Sequence, residues 1–237
     1  ILSLTLMSMP FGGPIRKANI NKLANINKEL KDLEPKRKHY QCYFSSKRAA
    51  SNIINCRQGL KSFLRNYFYF KSYDYPNNKP FKLDSYTATS LAKMPEYYIM
   101  NYSLGMAQTV LKFSPSQNEI DNCKWLTDAD LLIYYNSFKL RGIQEPLNWY
   151  KVMLSEREQK KLINFKLPSV IEIPSLFIAG SADWGVYQKP GELEKMESLF
   201  FSNYAGTKII KKAGHWVQQE QPKETFKEII SFLYKNI

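Results

Sequence analysis

The sequence predicts an α/β fold that contains a long helical insertion, and three features of the chain indicate it. Short apolar runs typical of buried strands open the chain at Ile1–Met7 and recur at Ser175–Ala179. Between about residues 17 and 168, apolar and aromatic residues instead follow helical spacing. From residue 169 onward, strand and helix patterns alternate, which predicts a right-handed parallel unit.

The first stretch, residues 1–16, is predicted to be one strand followed by a turn. The glycine and proline residues of Pro10-Phe11-Gly12-Gly13-Pro14 favour that turn. One strand at the front and a short alternating tail would make a small sheet with exposed edges, which is a poor independent fold. Because the chain also opens on Ile1 in the middle of that strand, we expect an N-terminal part to be missing.

The second stretch, residues 17–168, is predicted to be a helical insertion. Ser46 is a candidate N-cap for a helix that runs to Leu64, and Asn77-Asn78-Lys79-Pro80 breaks the helical run. Thr127 and Asp130 have capping-box spacing and begin another helix.

The third stretch, residues 169–237, is predicted to form the C-terminal part of the sheet with its helices. The apolar run at Ser175–Ala179 predicts a buried strand, and the periodicity of residues 190–201 predicts a helix. A second strand is predicted at Thr207–Ile210. Pro222 is then expected in the first turn of a final helix.

Composition argues against several classes of protein. The chain has 237 residues and is 44% hydrophobic, which is ample for a buried core. Its apolar runs are all shorter than the roughly 18 residues that a membrane-spanning helix needs. Cys42, Cys56 and Cys123 are far apart, so neither a disulfide framework nor a zinc site is expected. No phosphate-binding loop is present and we expect no cofactor and no metal; the cytoplasm is the default location.

A net charge of +13 raises the question of a nucleic-acid partner. The basic residues are spread along the chain in short clusters such as Lys36-Arg37-Lys38, and no RNP motif, zinc finger or recognition-helix pattern accompanies them. We therefore expect a small-molecule substrate and no nucleic-acid partner, with a homodimer left open.

The candidate catalytic residues are an acid and a histidine that follow the last two predicted strands. Asp183 comes directly after the first of these strands and His215 directly after the second. Ligands of open α/β sheets bind at the carboxyl ends of the strands, where both residues are expected. In such a pair the imidazole takes a proton, while the carboxylate holds its tautomer and stabilises its cation.

Further sequence segments make this pattern specific. Ile173–Trp184 resembles the acid-bearing strand of soluble epoxide hydrolases, and Ala213–Pro222 resembles their histidine loop. Gly142–Tyr150 and His39–Phe44 are similar to the two tyrosine-bearing segments of their cap, and Ser8–Phe11 is similar to the strand end before it. The resemblance implies the C-terminal part of an α/β-hydrolase fold, with parallel strands, flanking helices and a large helical cap inserted at residues 17–168.

The resemblance also implies roles for two of the 16 tyrosines, Tyr40 and Tyr150. Opening an epoxide produces a basic alkoxide. Phenols with a pKa near 10 are neutral donors at pH 7 that can hydrogen-bond the ring oxygen as charge develops. Four aromatic residues next to the matched positions are predicted to line the substrate pocket: Phe11, Trp149, Trp184 and Trp216.

The implied reaction has two steps. A nucleophilic aspartate attacks the epoxide to form an ester, and His215, oriented by Asp183, then activates water to hydrolyse it. No nucleophile elbow of the Gly-x-Ser-x-Gly or His-Asp-Trp-Gly kind occurs in the chain, so the 237 residues alone are expected not to turn over. Ile143 and Glu145 depart from the family's pattern beside Tyr150, which affects substrate preference more than reaction type.

Two alternatives remain open at the level of sequence. A haloalkane dehalogenase-like enzyme or a serine esterase would use the same fold, although a halide leaving group needs no proton and so does not need the two tyrosines. A non-catalytic binding protein that retains the cap is the alternative from another class.

Overall fold

The computed structural model describes residues 1–165 and 167–236, which form two compact units. The sheet unit consists of the described residues of Ile1–Pro14, Lys71–Tyr86 and Leu167–Ile237. The helical unit consists of those of Ile15–Phe70 and Thr87–Lys166.

The described strands are short, and their bounds in chain order are β1 Leu4–Met7, β2 Arg37–His39, β3 Ile99–Asn101, β4 Ser175–Gly180 and β5 Tyr204–Ile210. The described α-helices in chain order are α1 Lys22–Glu29, α2 Tyr40–Phe44, α3 Ala49–Ile54, α4 Leu60–Lys71, α5 Ala88–Leu91, α6 Met106–Leu111, α7 Gln117–Asn122, α8 Asp128–Arg141, α9 Gln144–Leu154, α10 Glu156–Asn164, α11 Glu192–Lys195, α12 Val217–Glu220 and α13 Pro222–Asn236. Short 3₁₀ helices lie at Lys17–Asn19, Leu30–Asp32 and Trp184–Val186, and a π-helical turn lies at Met196–Phe200. Of the described helices, none combines the length and the apolar character needed to cross a bilayer.

The strands of the sheet unit run parallel in the order β1-β4-β5. Leu4 pairs with Ser175 and Met7 pairs with Ile178, while β5 lies along the other edge of β4. The central strand β4 is buried along its whole length, which is why its sequence is a continuous apolar run rather than an alternating one.

The two faces of β4 belong to two apolar clusters. Leu176 and Ile178 pack with Val217 of α12 and Phe232 of α13. On the other face, Phe177 and Ala179 pack with buried side chains that include Met196, Phe200 and Phe201. Burial of a side chain such as Phe177 stabilises the folded state by about 1.5–3 kcal/mol. Because every residue of β4 is buried, this short strand contributes much of the core of the sheet unit.

In the helical unit, β2 and β3 form an antiparallel pair, and α2 begins directly after β2. The predicted cap at Thr127 is confirmed. Its hydroxyl accepts a hydrogen bond from Asp130 N–H, and the Asp130 carboxylate accepts one in return from Thr127 N–H, at the start of α8.

Two predicted helices have different bounds in the structure. The single helix from Ser46 to Leu64 is wrong: α3 ends at Ile54 and α4 begins at Leu60, with Gly59 between them at a φ of +78°. This left-handed backbone conformation separates α3 from α4, and glycine adopts it readily. Apolar periodicity alone did not reveal the break. The helix predicted for residues 190–201 starts at Glu192 and passes into the π-helical turn.

The predicted division placed all of residues 17–168 in the helical insertion. The structure instead divides the chain near residues 14 and 166, and residues 71–86 belong to the sheet unit. Two hydrogen bonds from backbone N–H groups explain this difference: His215 N–H donates to the carbonyl of Lys71, and Tyr73 N–H donates to the carboxylate of Glu220. The polar segment at Asn77–Pro80 predicts the end of the helical run, but it does not predict which unit this part of the chain belongs to.

Candidate active site

Asp183 and His215 lie side by side in the sheet unit. Strand β4 ends at Gly180 and β5 ends at Ile210, and the two residues follow these neighbouring carboxyl ends. The distance from His215 Nδ1 to Asp183 Oδ1 is 3.1 Å. The structure thus brings together the two residues that strand order predicted to meet.

Asp183 is buried and begins the short 3₁₀ helix at Trp184–Val186. Its Oδ1 accepts a hydrogen bond of 2.7 Å from Gly185 N–H. Burial alone would raise the pKa of Asp183, but the charge of His215 and hydrogen bonds from His215, Ser8 and Gly185 outweigh burial and lower the pKa. The carboxylate is therefore ionised at neutral pH.

The imidazole of His215 is oriented through Nδ1. An Nδ1–H that donates to the Asp183 carboxylate leaves Nε2 as the basic nitrogen, and no hydrogen bond involves Nε2 within residues 1–165 and 167–236. Burial and the nearby charge of Lys71 lower the pKa of His215, while Asp183 raises it; the net shift is downward. A neutral imidazole with a bound carboxylate is the form that accepts a proton.

Ser8 is a third member of this group that sequence reasoning did not select. Its Oγ lies 2.9 Å from His215 Nδ1, and its hydroxyl also contributes to lowering the pKa of Asp183. Ser8 has a φ of 69°, a left-handed conformation that costs a non-glycine residue about 1 kcal/mol or more. The strained turn directly after β1 places this hydroxyl beside the pair.

The histidine loop is held by close approaches of backbone to backbone. A Cβ on Gly180 would lie 2.2 Å from the carbonyl oxygen of Gly214. A Cβ on Gly214 would lie 2.6 Å from the carbonyl oxygen of Lys71. Neither position has room for a larger residue, so both glycines are required for the loop to lie between the end of β4 and residues 71–73.

The buried carboxylate of Glu220, in α12, holds the same loop through hydrogen bonds. It accepts hydrogen bonds from the N–H groups of Gly214 and Tyr73 at 2.8 Å and from that of Trp216 at 3.0 Å. Burial raises the pKa of Glu220 to about 7, against the effect of these three donors. Two of the donors, Gly214 and Trp216, flank His215 in sequence, so the carboxylate fixes both sides of the histidine loop.

Lys71 supplies the charge that acts on His215. Its side chain is buried, and its Nζ lies 5.4 Å from the ring centroid of Trp216. Burial lowers the pKa of Lys71 to about 8, while Asp183 raises it. The sequence offered no signal for this residue, because a lysine at the end of an amphipathic helix is normally a solvated C-terminal residue.

The two predicted tyrosines are neighbours within the helical unit. The ring centroids of Tyr40 and Tyr150 are 5.9 Å apart and the rings are nearly perpendicular. Tyr40 is buried against Tyr98, with centroids 5.0 Å apart, and its Oη accepts a hydrogen bond from Gln41 Nε2. Edge-to-face packing of this kind fixes a ring without any ionic contact.

A third phenol, that of Tyr67 in α4, lies near Tyr40 and Tyr150, and these three residues form the tyrosine cluster. Burial, followed by the proximity of Tyr150 and Tyr40, raises the pKa of Tyr67 well above its usual value. Burial likewise raises the pKa of Tyr150. In the cluster of Tyr40, Tyr67 and Tyr150, the phenols of Tyr67 and Tyr150 are therefore neutral at pH 7. Tyr67 was missed because only the resemblance distinguished two tyrosines among 16.

The four predicted pocket aromatics have different environments. Trp216 packs edge-on against His215, with centroids 4.8 Å apart. Trp184 is buried against Phe81, and Phe11 packs on the rings of Phe200 and Phe201 in the core of the sheet unit. Trp149 is 70% exposed. A role in substrate binding stays a prediction for all four.

Comparison with known proteins finds relatives that are named epoxide hydrolases. No protein-family profile matches the chain. Epoxide hydrolase B of Mycobacterium tuberculosis is 33% identical over 115 residues, which is 46% of this chain and 30% of that protein. Epoxide hydrolase 1 of Caenorhabditis elegans is 30% identical over 145 residues, which is 60% of this chain and 33% of that protein.

Solved structures show the same fold. An epoxide hydrolase from an endophytic Streptomyces matches with a TM-score of 0.72 and 20% identity, covering 98% of this chain and 60% of the other. A laboratory-evolved variant of potato epoxide hydrolase matches with a TM-score of 0.68 and 19% identity, covering 99% of this chain and 62% of the other. The chain has the α/β-hydrolase fold, as the sequence predicted.

The chain spans about three fifths of the length of the solved structures it matches. Its alignments with curated relatives cover about a third of their length. The activities named for those proteins thus belong to chains that contain further residues besides the matched part.

Proposed function

We propose that these residues belong to an enzyme that hydrolyses epoxides to vicinal diols. The observation that carries the proposal is the hydrogen bond between buried Asp183 and partly exposed His215 at the carboxyl ends of β4 and β5. The similarity to proteins named epoxide hydrolases supports the choice of substrate class.

The acid–histidine pair is proposed to carry out the hydrolytic half of the reaction. Asp183 keeps the Nδ1–H tautomer of His215, so Nε2 can take a proton from water as that water attacks an ester. The imidazolium formed is then stabilised by the adjacent carboxylate, whose pKa is already low. Ser8 and Glu220 are positioning residues that hold the carboxylate and the histidine loop.

The tyrosine cluster is proposed to serve the ring-opening half. Tyr40 and Tyr150 would hydrogen-bond the epoxide oxygen and transfer a proton to it as the C–O bond breaks. The raised pKa of Tyr150 keeps this phenol protonated at neutral pH, which is the form that can donate. The ester-forming nucleophile is proposed to be an aspartate outside the 237 residues.

The test is made on the product of the complete reading frame that contains this chain. With styrene oxide, we expect formation of one diol per epoxide consumed. His215→Gln is expected to allow ester formation and stop its hydrolysis, so that intact-protein mass rises by the mass of one epoxide. An active enzyme whose His215→Gln variant neither slows nor accumulates the adduct would contradict the proposed role.

The same preparation separates the alternatives. The double variant Tyr40→Phe/Tyr150→Phe is expected to lose epoxide ring opening, whereas Tyr135→Phe, on α8 of the same unit, serves as the matched control. Chloride release from 1-chlorobutane that survives the double variant would favour a dehalogenase. Hydrolysis of p-nitrophenyl acetate without any diol formation would favour an esterase.

A further inference from the structure

A second candidate site lies within the helical unit and is lined by cations. A cavity of about 560 Å³ there includes three basic side chains, Lys31, Lys38 and Arg48, and no aspartate or glutamate. The remaining lining residues are mainly neutral amides, hydroxyls and aromatic rings: Asn27, Cys42, Tyr43, Ser46, Asn52, Tyr102, Ser103, Leu104, Gly105 and Gln108. The volume lies in the range of small-molecule pockets.

Lys38 is held in a fixed position at this cavity. Its Nζ donates a hydrogen bond of 2.8 Å to the carbonyl of Tyr102. The ammonium also lies 5.2 Å from the ring centroid of Tyr43 and 5.8 Å from that of Tyr102. Half-burial lowers the pKa of Lys38, because the charged form has lost part of its hydration.

A second ammonium group shares the ring of Tyr102. Lys31 Nζ lies 5.5 Å from the centroid of that ring, so two positive charges lie close to one aromatic side chain. The structure shows no carboxylate within ion-pair distance of Lys31, Lys38 or Arg48 among the residues it describes. Two like charges held together without a counter-ion repel one another, and a bound anion would relieve that repulsion.

Several other cations of the helical unit are in ion pairs. Lys112 Nζ lies 2.8 Å from Glu96, and Arg65 lies 2.9 Å from Asp128. The unpaired lysines of the cavity therefore do not simply reflect a lack of acidic residues in that unit. Positively charged side chains and neutral hydrogen-bond donors around one cavity are the surroundings that a bound dianion requires.

We propose that this cavity binds the phosphate group of a small, soluble phosphomonoester. At neutral pH such a group carries a charge of about −1.5 to −2 and three acceptor oxygens. Lys31, Lys38 and Arg48 would match its charge, and hydroxyl donors such as Ser46 and Ser103 would satisfy its remaining oxygens. A carboxylate, with a single charge, would leave more of the positive charge unmatched.

The test uses the 237-residue chain and two probes, inorganic phosphate and phenyl phosphate, in titration calorimetry at low ionic strength. We expect the double variant Lys31→Gln/Lys38→Met to bind phenyl phosphate at least about tenfold more weakly. The matched control Lys124→Gln/Lys139→Gln removes the same charge from exposed positions of the same unit, and Lys139 likewise lies over a tyrosine ring, that of Tyr135. The control is expected to bind as the parent does.

Three outcomes overturn the proposal: no binding by the parent chain, equal loss in the control variant, or equal binding of chloride. Vesicles of phosphatidylcholine containing phosphatidic acid form a further arm. Vesicle binding that depends on Lys31 and Lys38, without binding of phenyl phosphate, would replace the soluble ligand by a lipid headgroup. If half-buried Lys38→Met fails to fold, the exposed Lys31→Gln alone gives the same comparison with a smaller expected loss.

Discussion

The acid–histidine site and the tyrosine cluster are held in place by different physical means. Around His215, ionisable side chains are fixed by backbone N–H groups, by a hydroxyl and by glycines that allow close backbone packing. Around Tyr40 and Tyr150, the rings are fixed by edge-to-face and tilted packing on other rings. A buried charge needs polar partners at defined positions, whereas a buried phenol needs mainly shape.

This difference predicts how the two regions respond to substitution. In the sheet unit, a change that removes one polar partner leaves a buried charge or donor unpaired, so stability and chemistry fall together. In the helical unit, removal of a phenol oxygen leaves the ring packing intact, so chemistry can fall while stability does not. The following substitutions test that contrast, from the largest expected effect to the smallest.

Asp183→Asn should have the largest effect, on catalysis. An amide cannot stabilise the imidazolium of His215 and can favour the wrong tautomer, so we expect steady-state diol formation by the complete reading-frame product to fall about 10³-fold or more. The measurement is kcat for styrene oxide at pH 7. Retention of a tenth of the parent activity would show that Asp183 does not orient the base.

Gly214→Ala should have the largest effect on stability. Its Cβ would lie 2.6 Å from the carbonyl oxygen of Lys71, so the histidine loop or residues 71–73 must shift. We expect a loss of about 1–3 kcal/mol in unfolding free energy, measured by urea denaturation of the 237-residue chain. Gly59→Ala is the comparison, because Gly59 has open space around it and any loss there comes from its left-handed φ of +78° rather than from a steric clash. Equal losses at the two glycines would contradict the steric explanation.

Glu220→Gln should change the pH dependence of stability. Glu220 has a pKa raised from 4.5 to about 7, so its contribution is fully present below its unfolded pKa and is lost as pH rises through about 7. The substituted amide cannot ionise, and its NH₂ group faces backbone donors. We expect a deficit of about 1–2 kcal/mol at pH 5 that shrinks toward pH 8, followed by thermal unfolding at several pH values. A deficit that grows with pH would reverse the assigned sign.

Ser8→Ala should lower the free energy of unfolding by about 1 kcal/mol, which is the net contribution of one hydrogen bond. Asp183 has a lowered pKa in the folded state, so its contribution is present above the unfolded pKa and is lost as pH falls through the folded pKa. Removal of the Ser8 hydroxyl weakens that contribution, so the difference from the parent should be larger at pH 6 than at pH 3. Ser8→Gly, which relieves the backbone strain but also lacks the hydroxyl, separates the two effects.

Tyr150→Phe should have the smallest effect on stability, less than about 0.5 kcal/mol, although it removes an oxygen proposed to act in ring opening. The ring would keep its contacts with Tyr40 and Phe44. The readouts are urea denaturation of the 237-residue chain and ring opening by the complete product. Parallel losses of stability and ring opening would remove the contrast between the two regions.

Sequence was informative where a local pattern determines position. The apolar run of β4 and the turn after it predicted where Asp183 lies, and the following strand did the same for His215. The two tyrosines needed resemblance, because a catalytic phenol and a packing phenol have the same local sequence. Ser8, Lys71 and Glu220 were missed because their roles depend on long-range packing within the sheet unit, including that of residues 71–86, which leaves no periodic pattern.

The return of residues 71–86 to the sheet unit has a consequence for protein engineering. The helical unit consists of two segments, the described residues of 15–70 and 87–166, and the segment between them, residues 71–86, belongs to the sheet unit. A chimaera that exchanges residues 17–168 in one piece would also exchange the carbonyl of Lys71 and the N–H of Tyr73, both of which bond the histidine loop or its carboxylate brace. Exchange in two pieces, with residues 71–86 kept, would transfer a new helical unit without replacing the residues that hold the histidine loop.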